Sequence, residues 1–402
     1  MKKYFWLSLL CMFMLSMVLT GCDPFFPPDE TDKSISWTNP VKINGLDWVR
    51  DCYVFKAEGM WYMTGTRQVG VTSVNLTDND PNNDQPSLED AQKLWPGIFL
   101  WKSTDMVNWT IANGGEPILK NEQILWNKKG DLNYGMYNIW APEIKKHPTN
   151  GKYYMTYSAG TFKDFDQNGK VIVTVRTDGS LTTKSNAGMA VADRPEGPWK
   201  NLTPDKAIIS NNDASLFFDQ DESGNISTYV WQTGWNYFKL DLETLENSGV
   251  DALGEIKRTS LRSQVQGAAG TWCDGSKINE GTHMIKIGKT YYLFWSCNAW
   301  GYFVGYATAD NIMGPYTSNP NNPIWGAANA ANQAKTPDCP LNEVGHGTPF
   351  IGPDGGWWIS GHGMYWGEPE LKPQLCFGKL NFNAEIGEFT GKFTWTPQTV
   401  KW

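Results

Sequence analysis

Gly288-Lys-Thr-Tyr-Tyr-Leu-Phe-Trp295 places a turn glycine ahead of an almost unbroken run of aromatic and apolar residues, the composition of a strand leaving a tight turn. Four other segments repeat it: Gly59-Met-Trp-Tyr-Met-Thr-Gly-Thr66, Gly151-Lys-Tyr-Tyr-Met-Thr-Tyr-Ser158, Gly224-Asn-Ile-Ser-Thr-Tyr-Val-Trp231 and Gly355-Gly-Trp-Trp-Ile-Ser360. With Tyr62, Tyr154, Tyr229, Tyr292 and Trp358 as markers, the spacings are 92, 75, 63 and 66 residues. Another strand-like stretch precedes each marker, at residues 53–55, 144–146, 215–218, 283–287 and 348–351, so every unit opens with a hairpin. A further strand and turn follow, as at 99–103, 188–192, 304–308 and 376–382. Three or four strands repeated five times predict an all-β, five-bladed β-propeller, each blade an antiparallel sheet of about four strands. Two packed β-sandwiches would supply as many strands without requiring one hairpin to recur. Residues 88–94 form the one short helical candidate, inside an insertion.

The composition agrees with such a fold. Of 402 residues, 40% are apolar and 19% charged, which excludes wholesale disorder. The 34 basic and 42 acidic side chains leave a net charge of −8, which argues against nucleic acid as a partner, since phosphate binding needs a concentrated basic surface. The 21 Trp, 16 Tyr and 18 Phe beside 40 Gly suit short strands and tight turns. Rings left on the surface would also suit flat apolar ligands.

The amino terminus reads differently. Lys2 and Lys3 precede an apolar or small run over residues 4–20, slightly short for a membrane span. The run ends in Leu19-Thr20-Gly21-Cys22, which resembles a bacterial lipobox. Residues 1–21 are therefore expected to be a lipoprotein signal peptide, with Cys22 the lipidated residue. Residues 22–34, rich in Pro and acidic groups, form a tether, and 35–402 form the propeller. The mature chain is expected outside the cytoplasm, meeting a membrane through its lipid alone. Of the remaining cysteines, Cys52, Cys273, Cys297, Cys339 and Cys376 are odd in number and none has metal-site spacing. They are expected to pack in the core, with Cys273–Cys297 a candidate bridge.

Just ahead of each marker hairpin, counting back 11 to 16 residues, stand Asp51, Glu143, Asp213, Glu280 and His346. The first strand of each propeller blade lines the central axis, so these groups are expected to converge on one cavity. Gathering so many ionisable groups costs desolvation and repulsion unless they serve a ligand or pair with one another. Paired carboxylates, one held protonated and one ionised, suit general acid–base hydrolysis of a glycosidic bond. A third carboxylate nearby would raise the acid's pKa.

At these residues the sequence resembles the glycoside hydrolase family 43 catalytic domain, a five-bladed propeller of inverting enzymes, from about Trp37 to Trp402. Arg50-Asp51 with the hairpin that follows resembles the family's first blade, which implies that Asp51 is the general base and places Arg50 at the substrate. Asp213-Ala-Ser-Leu-Phe-Phe-Asp219 resembles the second acidic motif, implying that Asp213 tunes and orients the acid. Glu280-Gly-Thr-His-Met-Ile-Lys286 resembles the general-acid motif. Trp140-Ala-Pro-Glu-Ile144 implies that Trp140 and Glu143 flank the sugar. Gly345-His-Gly-Thr-Pro-Phe350 implies that His346 sits on the axis beside a water or a structural calcium ion; no other cofactor is implied. Cys52, Ala214 and Thr282 stand where proline is usual, and residues 375–379 lack the arginine that family members carry toward the substrate. The implied activity is hydrolysis, with inversion, of arabinofuranosyl, xylosyl or related bonds such as β-1,3-galactosyl in plant-type glycans. Trp235, Trp300 and Trp366 join Trp140 as candidate stacking platforms. The alternatives are a propeller that binds glycan without cleaving it, and a purely structural surface lipoprotein.

Overall fold

The computed structural model describes residues 33–46, 48–67, 69, 95–124, 128–129, 132–133, 138–162, 164–165, 171–172, 183–209, 212–233, 236–245, 259–260, 265–266, 279–297, 302–327, 339–365 and 372–402. The expected signal peptide, Cys22 and nearly all of the tether lie outside these residues. So do the helical candidate 88–94, Cys273, Trp235, Trp300 and Trp366.

Five antiparallel blades account for the body of the chain. In order they begin with the hairpins Arg50–Ala57/Met60–Thr66, Asn138–Lys146/Tyr153–Phe162, Ser215–Gln220/Ile226–Gln232, Asn279–Ile287/Thr290–Cys297 and Leu341–Ile351/Trp357–Tyr365. Third strands are Trp101–Ser103, Thr183–Ala192, Asn236–Leu240, Tyr302–Ala309 and Gln374–Asn383, and fourth strands are Thr110–Ile111, Lys200–Asn201, Thr259–Ser260, Tyr316–Ser318 and Glu388–Gly391. Except in blade three, the innermost strands start several residues earlier than the hydrophobic pattern predicts. Their upstream ends carry the polar site residues, which strand periodicity does not reveal.

The apolar runs are continuous because both faces of a blade are covered. In blade four, Tyr291, Leu293 and Trp295 pack toward blade three, with Phe217 and Trp231, while Tyr292 and Phe294 pack toward blade five, with Ile359 and Phe389. Period-two alternation thus sends successive residues into different inter-blade cores. Two more clusters fill the junctions between blades one and two and between two and three. A fifth joins blade one, through Val54, Trp61 and Trp101, to blade five, through Phe350, Trp358 and Phe377. That last cluster closes the ring. Trp101, Trp231, Trp295, Trp325 and Trp358 are fully buried, so much of the aromatic excess is inter-blade filling.

The chain ends reinforce the closure. Ser34–Trp37 pairs antiparallel with Gln398–Lys401, and the Val41 N–H donates to Leu375 O at 2.7 Å. Asn39 bonds Phe377 through both its amide nitrogen and its amide oxygen. The segment leading into blade one is therefore stitched to the third strand of blade five.

Candidate active site

At the axis-facing start of each innermost strand, the backbone enters the left-handed region once: at Asp51 (φ 53°), Ala141 (43°), Asp213 (55°), Gly281 (58°) and His346 (52°). Irregularities in strand pairing bracket this position in blades one, two, four and five. A left-handed non-glycine residue costs about 1–2 kcal/mol, yet four of the five blades carry one. These five residues are structurally equivalent, which corrects the counting-back alignment. Glu280 precedes the equivalent position by one residue, and Glu143 follows it by two, because the bulges break the constant spacing from the marker.

The bulge removes backbone groups from the ladder, and the neighbouring blade supplies their partners. Asp51 N–H donates to His362 Nδ1 (3.0 Å), Ala141 N–H to Thr66 Oγ1 (2.8 Å), Asp213 N–H to Ser158 Oγ (2.8 Å), and Gly347 N–H to Ser296 Oγ (3.3 Å). Each acceptor lies on the second strand of the preceding blade. Cys52 O and Ala214 O accept from Ser360 and Thr156 hydroxyls, as Pro142 O accepts from Thr64. In blades one, two and three the carbonyl at this position is the bonded group, so a residue without an N–H, such as Pro142, fits there.

Asp51 Oδ2 accepts from the Thr66 hydroxyl at 2.5 Å, and Asp51 Oδ1 lies 3.2 Å from His346 Nδ1. Burial alone would raise the Asp51 carboxyl. The His346 cation, Arg50 and the Thr66 hydroxyl outweigh it and hold the group below the usual carboxylate range. His346 moves the other way: burial opposes its cation, but Asp51, Asp213 and Glu280 surround it and raise its pKa. His362 Nδ1 also lies 3.5 Å from Asp51 Oδ1. Because that nitrogen accepts the Asp51 N–H, and burial and Arg50 push its pKa well down, His362 is a neutral acceptor and not an ion-pair partner.

Across the cavity, the Tyr302 hydroxyl donates to Glu280 Oε1 at 2.7 Å, and its oxygen lies 3.2 Å from His346 Nδ1. Burial, then the Asp213 charge, lift the Glu280 pKa to about 7. Asp213 is raised by burial too, opposed by the His346 cation. Its Oδ2 accepts from Thr233 Oγ1 (3.2 Å) and Gly281 N–H (3.3 Å). Two donors thus face Asp213 Oδ2, and one, Tyr302, faces Glu280. The contacts from Asp51 through His346 and Tyr302 to Glu280 measure 3.2, 3.2 and 2.7 Å. They keep the two carboxylates within about 9 Å, close enough to flank one glycosidic bond with a water between.

Glu143 sits one layer deeper, at the level of Tyr53, Ser215, His283 and Thr348. It accepts from Ser215 Oγ at 2.7 Å and lies 3.5 Å from His283 Nδ1 and 3.8 Å from Lys145 Nζ. Burial is outweighed by His283 and Lys145, so its pKa falls. Trp140, half-buried, belongs to the same innermost strand as Glu143.

Sequence reasoning missed Tyr302, His362, Thr66, Thr233 and the Lys145–His283 pair. One signal was present for His362: Gly361-His-Gly363 mirrors Gly345-His-Gly347. The mirrored glycines allow close approach, since a Cβ on Gly361 would meet Gly345 O at 2.3 Å and one on Gly345 would meet the Tyr302 ring at 2.5 Å. Tyr302 carries no such mark. Cys52, Cys339 and Cys376 are free and buried, and Cys297 is disulfide-bonded.

The chain is similar to known proteins over most of its length. A β-xylosidase of Bacillus subtilis (strain 168) is 25% identical over 254 residues, 63% of this chain and 40% of that one. A non-reducing end α-L-arabinofuranosidase of Bacteroides ovatus is 25% identical over 276 residues, 66% of this chain and 41% of that one. The chain thus spans about two fifths of the length of both. The crystal structure of a GH43 protein, BlXynB, from Bacillus licheniformis superposes with a TM-score of 0.58 at 20% identity, over 90% of this chain and 58% of that one. The family model for glycosyl hydrolases family 43 matches residues 37–385, most of this five-bladed chain, and the chain belongs to that family.

Proposed function

We propose that the chain hydrolyses glycosidic bonds of arabinofuranosyl or xylosyl units in plant-type glycans, by a single displacement that inverts the anomeric centre. Asp51, held ionised, takes a proton from water as that water attacks the anomeric carbon. Glu280, held protonated, gives its proton to the departing oxygen. Asp213 keeps the proton on Glu280, His346 holds Asp51 and Tyr302, and Trp140 and Arg50 flank the sugar. One observation carries the reading: two carboxylates within about 9 Å whose environments push their pKa values in opposite directions. The names of the relatives supply the sugar class.

The test is a side-by-side assay on arabinofuranosyl, xylosyl and galactosyl nitrophenyl glycosides with the parent, Asp51→Asn and Glu280→Gln. Hydrolysis of at least one sugar, reduced about 10²–10⁴-fold in each variant, is expected. A parent that binds glycan and never releases reducing sugar would leave a binding propeller instead.

We further propose that the chain is exported and anchored through Cys22, on the strength of Leu19-Thr20-Gly21-Cys22 behind an apolar run. Labelled fatty acid incorporated by the parent and not by Cys22→Ala is the expected result.

A further inference from the structure

Beneath the acid–base layer the axis carries a charge that the reaction does not use. Lys145 Nζ projects from the inner strand of blade two and bonds Leu216 O (2.5 Å) and Ser215 Oγ (3.3 Å) on the inner strand of blade three. It lies 3.8 Å from Glu143 Oε2. Ser215 in turn donates to Glu143, so lysine, serine and carboxylate form one closed set. His283 Nδ1 also faces Glu143 Oε2, at 3.5 Å, and both it and Lys145 lower the Glu143 pKa. Lys145 is the one of the two that also bonds the blade-three backbone. Burial lowers the Lys145 pKa to about 8, which leaves it charged at neutral pH.

A calcium ion takes six to eight oxygen ligands. In this layer the side-chain oxygens are one carboxylate, Glu143, and the hydroxyls of Ser215, Thr348 and Tyr53, with Glu143 and Ser215 already within 4 Å of an ammonium; among the described residues no three His, Cys, Asp or Glu side chains are grouped to hold a metal ion. In the layer above, His346 Nδ1 is already engaged with Asp51 Oδ1 and the Tyr302 oxygen, at 3.2 Å from each. The residues present do not fit a structural calcium ion on the axis.

We propose that Lys145 is a tethered axial cation, clamping blades two and three beneath Asp213 and leaving the propeller independent of a divalent metal. Ser215 and Leu216 follow Asp213 by two and three residues, so the clamp positions the strand end that carries that carboxylate.

The test follows thermal melting of the full-length chain in EDTA and in millimolar CaCl₂, for the parent, Lys145→Met and Glu143→Gln/Lys145→Met. Melting needs no substrate, so the result stands apart from the choice of sugar. The parent should melt at the same temperature in both media. Lys145→Met, which leaves Glu143 buried without its lysine partner, should melt roughly 5–10 °C lower. The double variant, which removes both charges, should recover part of that loss. Calcium raising the parent's melting temperature by several degrees would overturn the proposal. So would Lys145→Met melting like the parent. A Lys145→Met chain that does not fold counts as the expected loss, and the double variant then decides: recovery supports the clamp, while equal failure assigns Lys145 to packing and rejects it.

Discussion

Tyr302 donates a 2.7 Å hydrogen bond to Glu280. A donor aimed at a carboxylate favours its ionised form, so Tyr302 opposes the burial and the Asp213 charge that lift Glu280 to about 7. Glu280 is thus tuned from both directions, by Tyr302 on the third strand of its own blade and by Asp213 just ahead of the inner strand of blade three.

The pH dependence of kcat/KM follows from the two carboxylates. Under the proposed roles, activity requires Asp51 ionised and Glu280 protonated. The acidic limb should fall below the usual carboxylate range and the alkaline limb near pH 7. Tyr302→Phe, by removing a donor to the ionised acid, should move the alkaline limb upward. An unmoved limb would show that the phenol only packs.

Glu280 also makes the fold pH-sensitive. Its folded pKa, about 7, stands above its ordinary 4.5, so between these values the native state binds more protons than the unfolded chain. This contribution to stability is complete below pH 4.5 and is lost as pH rises through about 7. Glu280→Gln should therefore be more stable than the parent at pH 8, by about 1–3 kcal/mol, and no more stable near pH 4. Paired melting curves at the two pH values measure the difference.

Gly281 lies against the axial histidine. A Cβ there would stand 3.2 Å from the His346 ring, on a backbone with φ of 58°. Gly281→Ala should cost about 1–2 kcal/mol of stability from the left-handed conformation alone. It should also lower kcat, because displacing His346 loosens its contacts with both Asp51 and Tyr302. Melting and steady-state kinetics read the two effects separately.

Stereochemistry tests the single-displacement scheme directly. Proton NMR of the first-formed sugar should show the anomer opposite to that of the substrate. Retention would require one carboxylate to act as nucleophile, and would remove the role assigned to Asp51.

What could be read from the sequence was what is local. Each hairpin announces itself through a turn glycine and a run of rings within eight residues, and five such runs specify five blades. Asp51, Asp213, Glu280 and His346 were visible because each sits a short, countable distance from a marker. The sequence could not reveal the bulge register, since an extra residue in the innermost strand breaks the count and only the pairing partner exposes it. For that reason Glu143 was grouped with the acid–base layer and proved to lie one layer deeper, beside Lys145.

Tertiary structure alone decided the partners. His362 meets Asp51 from 311 residues away, and Tyr302 reaches Glu280 and His346 from a third strand. Ring closure is the physical reason: it presses the last blade against the first and turns five strand ends inward. Charges far apart in the chain then set one another's protonation in a space that a linear reading cannot measure.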